Sequence, residues 1–134
     1  MQWTVHLQTS PVIAIVDDDE SVRIATRSLV RSLGFTAHAF SSAEEFLQSP
    51  HVDECSCVIT DMQMPGLSGL DLQSILLTEG RRIPIIFMSA FVDEDVEARA
   101  MRAGAVCFLC KPFDGRFLIK CLDEALSQNK ATQP

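Results

Sequence analysis

Five short apolar runs alternate with segments of helical period along nearly the whole chain, and few folds accept that alternation. The runs are "PVIAIV" (11 to 16), "FTAHAF" (35 to 40), "CSCVIT" (55 to 60), "IPIIFM" (83 to 88) and "AVCFLC" (105 to 110). Four are almost continuously apolar, as strands buried on both faces should be. The second interleaves polar Thr36 and His38 with apolar residues, which suits an edge strand. Between the runs, Val22, Ala25, Leu29, Val30 and Leu33 recur at steps of three and four and stop at Gly34, a natural C-terminal cap. Ser42 precedes a short helix carrying Phe46 and Leu47, and Ser68 opens one carrying Leu72, Ile75 and Leu76. The acids at 93 to 95 open a helix with Val96, Ala100 and Ala103, where they complement the helix dipole. In the last helix Phe117, Leu118, Cys121, Leu122, Ala125 and Leu126 form one apolar stripe. Five strands and five helices in alternation specify an α/β fold, a doubly wound parallel sheet covered on both faces. Right-handed crossovers make the flavodoxin-like order 2-1-3-4-5 the natural arrangement, with strand 2 at an edge.

At 134 residues the chain has the size of one domain. It is read as a domain over 11 to 127, with an N-terminal tail at 1 to 10 and a C-terminal tail or linker start at 128 to 134. No apolar run approaches the ~20 residues of a membrane span, and "MQWTVHLQTSPV" lacks the features of a secretory signal. The expected location is therefore cytoplasmic, with no membrane partner. A net charge of −7 argues against direct nucleic-acid binding, which draws its affinity from clustered Lys and Arg. Cys55, Cys57, Cys107, Cys110 and Cys121 lie in apolar segments, so reduced buried thiols are expected. A zinc site from the CxC and CxxC pairs is the alternative. Strands 3 and 5, with strand 4 between them, stand roughly 10 Å apart at ~4.8 Å per strand, which separates the two pairs.

In a sheet of this order ligands bind beyond the carboxyl ends of the strands, near the switch point between strands 1 and 3. Strand 1 runs into Asp17, Asp18, Asp19 and Glu20, strand 3 into Asp61, strand 4 into Ser89 and strand 5 into Lys111. Crowded carboxylates repel unless a cation is present or one acid stays protonated. Oxygen-only ligands favour a hard ion, and magnesium, Mg2+, takes a couple of carboxylates, a carbonyl and waters alongside a phosphoryl group. Lys111 and Ser89 together would hold phosphoryl oxygens, so the set reads as equipment for placing phosphate on a carboxylate. Singly, each residue has a plainer explanation. Asp19 or Glu20 suits an N-cap, a lysine before proline is commonly just solvated, and a lone serine often forms a turn. The weight rests on four strand ends contributing at once.

The segments "IVDDDE", "TDMQMPGLSG" with its D-x-x-M-P-x-x-x-G pattern, "MSA" and "CKPF", in that order over residues 11 to 127, resemble the receiver domain of two-component response regulators. "VDDDE" and "FSSAEEFL" resemble the FixJ/LuxR class. The resemblance implies a CheY-like fold and a phosphoacceptor that is not an enzyme in the usual sense, though it supports its own Mg2+-dependent phosphoryl transfer and dephosphorylation. It implies Asp61 as the acceptor, taking its phosphoryl from a phosphohistidine of a sensor histidine kinase. Asp18, Asp61 and the main-chain carbonyl of Gln63 would bind Mg2+, with Asp17 acting mainly through a water. Lys111 would pair with Asp61 and then with its phosphoryl, Ser89 would move to bond that group, and Phe108 stands at the aromatic switch position. The Lys111–Pro112 bond is often cis in such domains. Phosphorylation would repack the fourth helix, fifth strand and fifth helix, and so control a homodimer or a transcriptional output domain. Two residues depart from the commoner pattern: Ser89 replaces threonine, which predicts looser coupling, and Phe108 replaces tyrosine, which leaves switching to ring burial alone.

Two rivals share the fold. "DDDES" also reads as D-x-D-x-S and resembles the motif of haloacid-dehalogenase-like phosphatases, with Asp17 as nucleophile and Asp19 as general acid. That reading has no room for a cap and leaves the Asp61 loop unexplained. A flavin-binding module needs a phosphate-cradling loop after strand 1, where three aspartates would repel the anion.

Overall fold

The computed structural model describes residues 10–91 and 93–131, so the expected tail at 1 to 10 lies outside the described residues except for Ser10. Five strands, β1 (Val12–Val16), β2 (Thr36–Phe40), β3 (Cys57–Asp61), β4 (Ile85–Ser89) and β5 (Cys107–Cys110), form one sheet in the order β2-β1-β3-β4-β5. All four pairings are parallel, and β2 is an edge strand as its mixed pattern predicts. Five helices connect and cover them: α1 (Glu20–Ser32), α2 (Ala43–Leu47), α3 (Gly69–Thr78), α4 (Glu94–Arg102) and α5 (Gly115–Ala131).

The strand alternation divides the core between the two faces of the sheet. Ala14, Val16, Phe40, Val58 and Phe87 meet Phe46 of α2, Leu72 and Leu76 of α3 and Ala100 of α4. Their neighbours Ile13, Ile15, Ile59, Ile86 and Met88 meet Val30 of α1 and Leu118, Leu122 and Ala125 of α5. Fully burying each such large side chain favours folding by about 1.5–3 kcal/mol. The central strands are thereby fixed in register, and their carboxyl ends are fixed with them.

The helix starts follow the expected chemistry. Asp19, Ser42, Ser68 and Asp93 cap α1, α2, α3 and α4, each accepting main-chain N–H bonds through its side chain. Gly34, just past α1, has φ 95°, a conformation that a Cβ would strain.

Several details differ from expectation. β3 and β4 enter the sheet two residues later than their apolar runs and end at Asp61 and Ser89 rather than before them. Pro84 has no N–H to give, so the β4 ladder starts beyond it. At the other end the pairing persists, with Met62 N–H donating to Met88 O at 2.8 Å and Lys111 N–H to Ser89 O at 2.7 Å. A 3-10 turn over Val52–Glu54, which no periodicity announces, precedes β3. α5 runs to Ala131, four residues beyond the expected domain end at 127. Phe117, placed on the apolar stripe of α5, is 61% exposed. The cysteines are not uniformly buried: Cys57 and Cys121 are, Cys55 and Cys107 are partly covered, and Cys110 at the end of β5 is exposed.

Candidate functional site

At the carboxyl edge of β1 and β3, ligand oxygens of Asp17, Asp18 and Asp61 lie within 4.8 Å of one another. Asp17 is fully buried, Asp61 nearly so, and Asp18 is exposed, so the cluster opens to solvent on one side. Asp17 is held from several directions. Its N–H donates to Phe40 O at 3.1 Å, its Oδ1 accepts from Asp19 N–H at 2.8 Å, and its main-chain oxygen accepts from Arg23 Nη1 at 2.8 Å. Asp61 Oδ1 accepts from the N–H of Gln63 at 3.3 Å.

Lys111, just past β5, reaches across to both buried acids. Its Nζ lies 2.8 Å from Asp17 Oδ2 and 3.1 Å from Asp61 Oδ2. The family pattern implies a Lys111–Asp61 pair, and the structure adds Asp17 as the shorter contact. Burial works against the ammonium, but the hydrogen bonds and charges of Asp17 and Asp61 outweigh it and hold the lysine above its ordinary range. For Asp61 burial comes first and wins: desolvation, helped by the Asp17 charge, pushes its carboxyl up against the pull of Lys111 and the Gln63 N–H. One lysine thus faces three carboxylates, an excess of negative charge with oxygen-only donors that fits a hard divalent cation such as Mg2+.

Ser89 and Phe108 occupy their expected elements. Ser89 is buried at the end of β4, where its hydroxyl donates to Phe91 O at 2.8 Å and accepts from Phe91 N–H at 3.2 Å. It is engaged with its own loop rather than with Asp61. Ala90 beside it is small and exposed. Phe108 pairs in register with Phe87, their rings 6.4 Å apart, and is half-buried on the α3 and α4 face. The Lys111–Pro112 peptide is cis. Met62 and Met64, in the segment that follows β3, are packed into the core.

Three supporting residues carry no site role in the sequence reading. Arg23 clamps the Asp17 main chain, and its signal is a base one turn inside the helix that follows the acids. Gly69 starts α3 so close to β3 that a Cβ there would stand 2.5 Å from Asp61 O. Glu44 of α2 accepts the Leu67 N–H at 3.3 Å, tying α2 to the loop after Asp61, and no local pattern announces that contact. The phosphatase alternative fits this geometry poorly. The proposed nucleophile Asp17 has both carboxylate oxygens engaged, and the proposed acid Asp19 is committed to capping α1. Among the described residues neither group of potential metal ligands contains a cysteine.

The sheet order and the pocket at its switch point first define a class, the CheY-like α/β proteins. A receiver domain protein (CheY-like) from Methanospirillum hungatei superposes with a TM-score of 0.85 at 20% identity, covering 93% of this chain and all of that one. Sequence then narrows the class. The response regulator receiver domain model matches residues 13–123, and the chain belongs to that family, in its FixJ type. The response regulator protein TodT of Pseudomonas putida is 45% identical over 115 residues, 86% of this chain and 51% of TodT. The transcriptional regulatory protein FixJ of Bradyrhizobium diazoefficiens is 33% identical over 91% of this chain and 60% of its own length. The structure of response regulator StyR has a TM-score of 0.85 at 40% identity, over 92% of this chain and 62% of that one. The chain therefore spans about half the length of the curated relatives it matches. It is a receiver domain of two-component signalling. Among the described residues no helix is long and apolar enough to cross a membrane.

Proposed function

We propose that the chain works in the cytoplasm, accepts a phosphoryl group on Asp61 from the phosphohistidine of a sensor histidine kinase and converts it into a changed surface on α4, β5 and α5. The observation that carries this reading is the contact of Lys111 Nζ with both Asp17 and Asp61, which gathers the ends of β1, β3 and β5 around one carboxylate. An Asp61 oxygen attacks phosphorus, the bond from phosphorus to the donor imidazole nitrogen breaks, and the imidazole leaves as a neutral ring after taking up a proton. Asp18, Asp61 and the Gln63 carbonyl would hold Mg2+ directly and Asp17 through a water. Bound there, the ion supplies charge compensation for the phosphoryl oxygens. Lys111, positioned by Asp17, neutralises the growing charge on the acceptor side. Ala90 leaves room for the phosphodonor and, afterwards, for the water that returns Asp61 to its free form.

Phosphorylation replaces one carboxylate charge by about two, spread over three strong acceptors. Ser89 then gives up its bonds to Phe91 and turns to the phosphoryl group, and the loop into α4 moves with it. Phe108, packed on Phe87 at the edge of the same face, responds through ring burial. Exposed Met101 on α4 and Phe117 and Ile119 on α5 provide apolar surface for a homodimer or for a transcriptional output domain. The net charge of −7 favours a protein partner over nucleic acid for this domain.

Incubation with a small-molecule phosphodonor and Mg2+, followed by mass mapping of the label, tests the acceptor. Label on Asp61 that disappears in Asp61→Asn is the expected result, and label on Asp17 would overturn the reading. Sedimentation with and without beryllofluoride tests the output. Unchanged association would remove the dimerisation limb.

A further inference from the structure

A second cluster of ligating side chains stands apart from the acidic pocket, at the edge of the sheet. His38 in the middle of β2, His51 in the loop after α2 and Glu54 at the end of the 3-10 turn each bring one ligand atom into a group spanning no more than 4.8 Å. His51 Nδ1 is 2.5 Å from Glu54 Oε1, and His38 Nε2 is 3.8 Å from the same oxygen. The two imidazoles stack, with centroids 3.8 Å apart and planes 13° from parallel. We propose that His38, His51 and Glu54 bind a divalent transition-metal ion of the zinc type, with water completing the coordination.

The plain alternative is a hydrogen-bonded histidine pair sharing a surface carboxylate. Three observations favour the metal. Two imidazoles and one carboxylate are an established zinc donor set, whereas the all-oxygen pocket around Asp61 suits Mg2+, so the two sites sort ions by ligand chemistry. With metal–ligand bonds near ~2.1 Å, a tetrahedral ion sets its donors roughly 3.4 Å apart. The observed 2.5 and 3.8 Å bracket that spacing, and the side chains are 30 to 50% exposed, which leaves them free to rotate and leaves a path for the ion.

The third is the scaffold. Ser49 Oγ accepts the His51 N–H at 3.0 Å, and His51 O accepts both the Glu54 N–H at 3.2 Å and the Cys55 thiol at 3.2 Å. The loop that carries two of the ligands is thus set before any ion arrives, and the third ligand comes from a strand. An ion here would tie the edge strand β2 to the segment that leads into β3.

The test uses the whole chain with Cys110→Ser, which removes the exposed thiol, in excess Mg2+ to occupy the acidic pocket. Zn2+ titration by calorimetry should show one ion per chain, and His51→Gln should weaken it by about tenfold or more. His38→Gln and Glu54→Gln, both at partly exposed positions, should each do the same while leaving Mg2+ affinity unchanged. Co2+ should broaden the ring-proton resonances of His38 and His51 before any others. Zn2+ binding of undiminished strength in all three variants, or no saturable binding in the parent, would overturn the assignment.

Discussion

Gly69 shows how a single residue can limit the site without touching a ligand. It opens α3 where a Cβ would stand 2.5 Å from Asp61 O and 3.0 Å from both Met62 Cα and the Phe87 ring. Backbone and a buried ring do not yield to an added methyl, so Gly69→Ala must push α3 away from β3. The expected cost is about 1–3 kcal/mol, the usual penalty for overpacking, read as a lower denaturant midpoint and accompanied by slower phosphorylation. The D-x-x-M-P-x-x-x-G pattern holds this glycine, but what a Cβ would meet is a property of packing that the sequence does not print. The cysteines make a similar point. Burial pushes Cys55 up to about 12, chiefly by desolvation, whereas Cys110 is exposed at the strand end. Iodoacetamide at pH 8 should modify Cys110 first, and Cys55 slowly and faster as pH rises; equal rates in the folded chain would contradict the burial pattern.

At the scale of elements, the local chemistry of helix starts was the most legible part of the chain. Serine and aspartate stood ahead of apolar periodicity four times, and each caps its helix. The start of α3 adds a reciprocal box, in which Ser68 Oγ accepts the Asp71 N–H at 3.1 Å and Asp71 Oδ2 accepts the Ser68 N–H at 2.9 Å. Ser68→Ala should cost about 1 kcal/mol and speed amide exchange in the first turn of α3 without altering exchange in α5. Margins of elements were less legible. An apolar stripe gives a helix its buried face but not the width of the contact, and Leu118, Cys121, Leu122 and Ala125 meet the sheet without Phe117. Likewise an apolar run does not reveal where a ladder begins, because Pro84 is apolar yet has no N–H to contribute. The His38, His51 and Glu54 group went unseen for a different reason: its members come from a strand, a loop and a turn with no common period.

Across the whole molecule, the convergence of β1, β3 and β5 ends was readable because strand order and handedness follow from the alternation of elements. The partition of charge inside the pocket was not. Spacing along the chain places Lys111 near the acids, but only the fold shows it shared between Asp17 and Asp61, with Asp17 the nearer. That partition predicts how the site affects stability. Removing the Asp61 charge forfeits one lysine contact, yet Lys111 keeps Asp17, and the desolvation and repulsion that raise the Asp61 carboxyl disappear. In chelator-treated buffer at neutral pH, Asp61→Asn should therefore be more stable than the parent, because a carboxyl raised on folding marks a net cost of charging it in the folded state. The sign of the pH dependence follows. A carboxyl raised on folding favours the folded state below its unfolded value of 3.8 and loses that advantage as pH climbs through the raised value. The gap between variant and parent should accordingly be closed near pH 3.8, open as pH climbs from there through the raised value, and stay constant above it. Addition of Mg2+ should raise the parent's melting temperature more than the variant's, because the ion offsets the repulsion that asparagine has already removed. A parent more stable than Asp61→Asn in metal-free buffer would mean that the Lys111 contact outweighs desolvation, and the charge balance drawn here would be reversed.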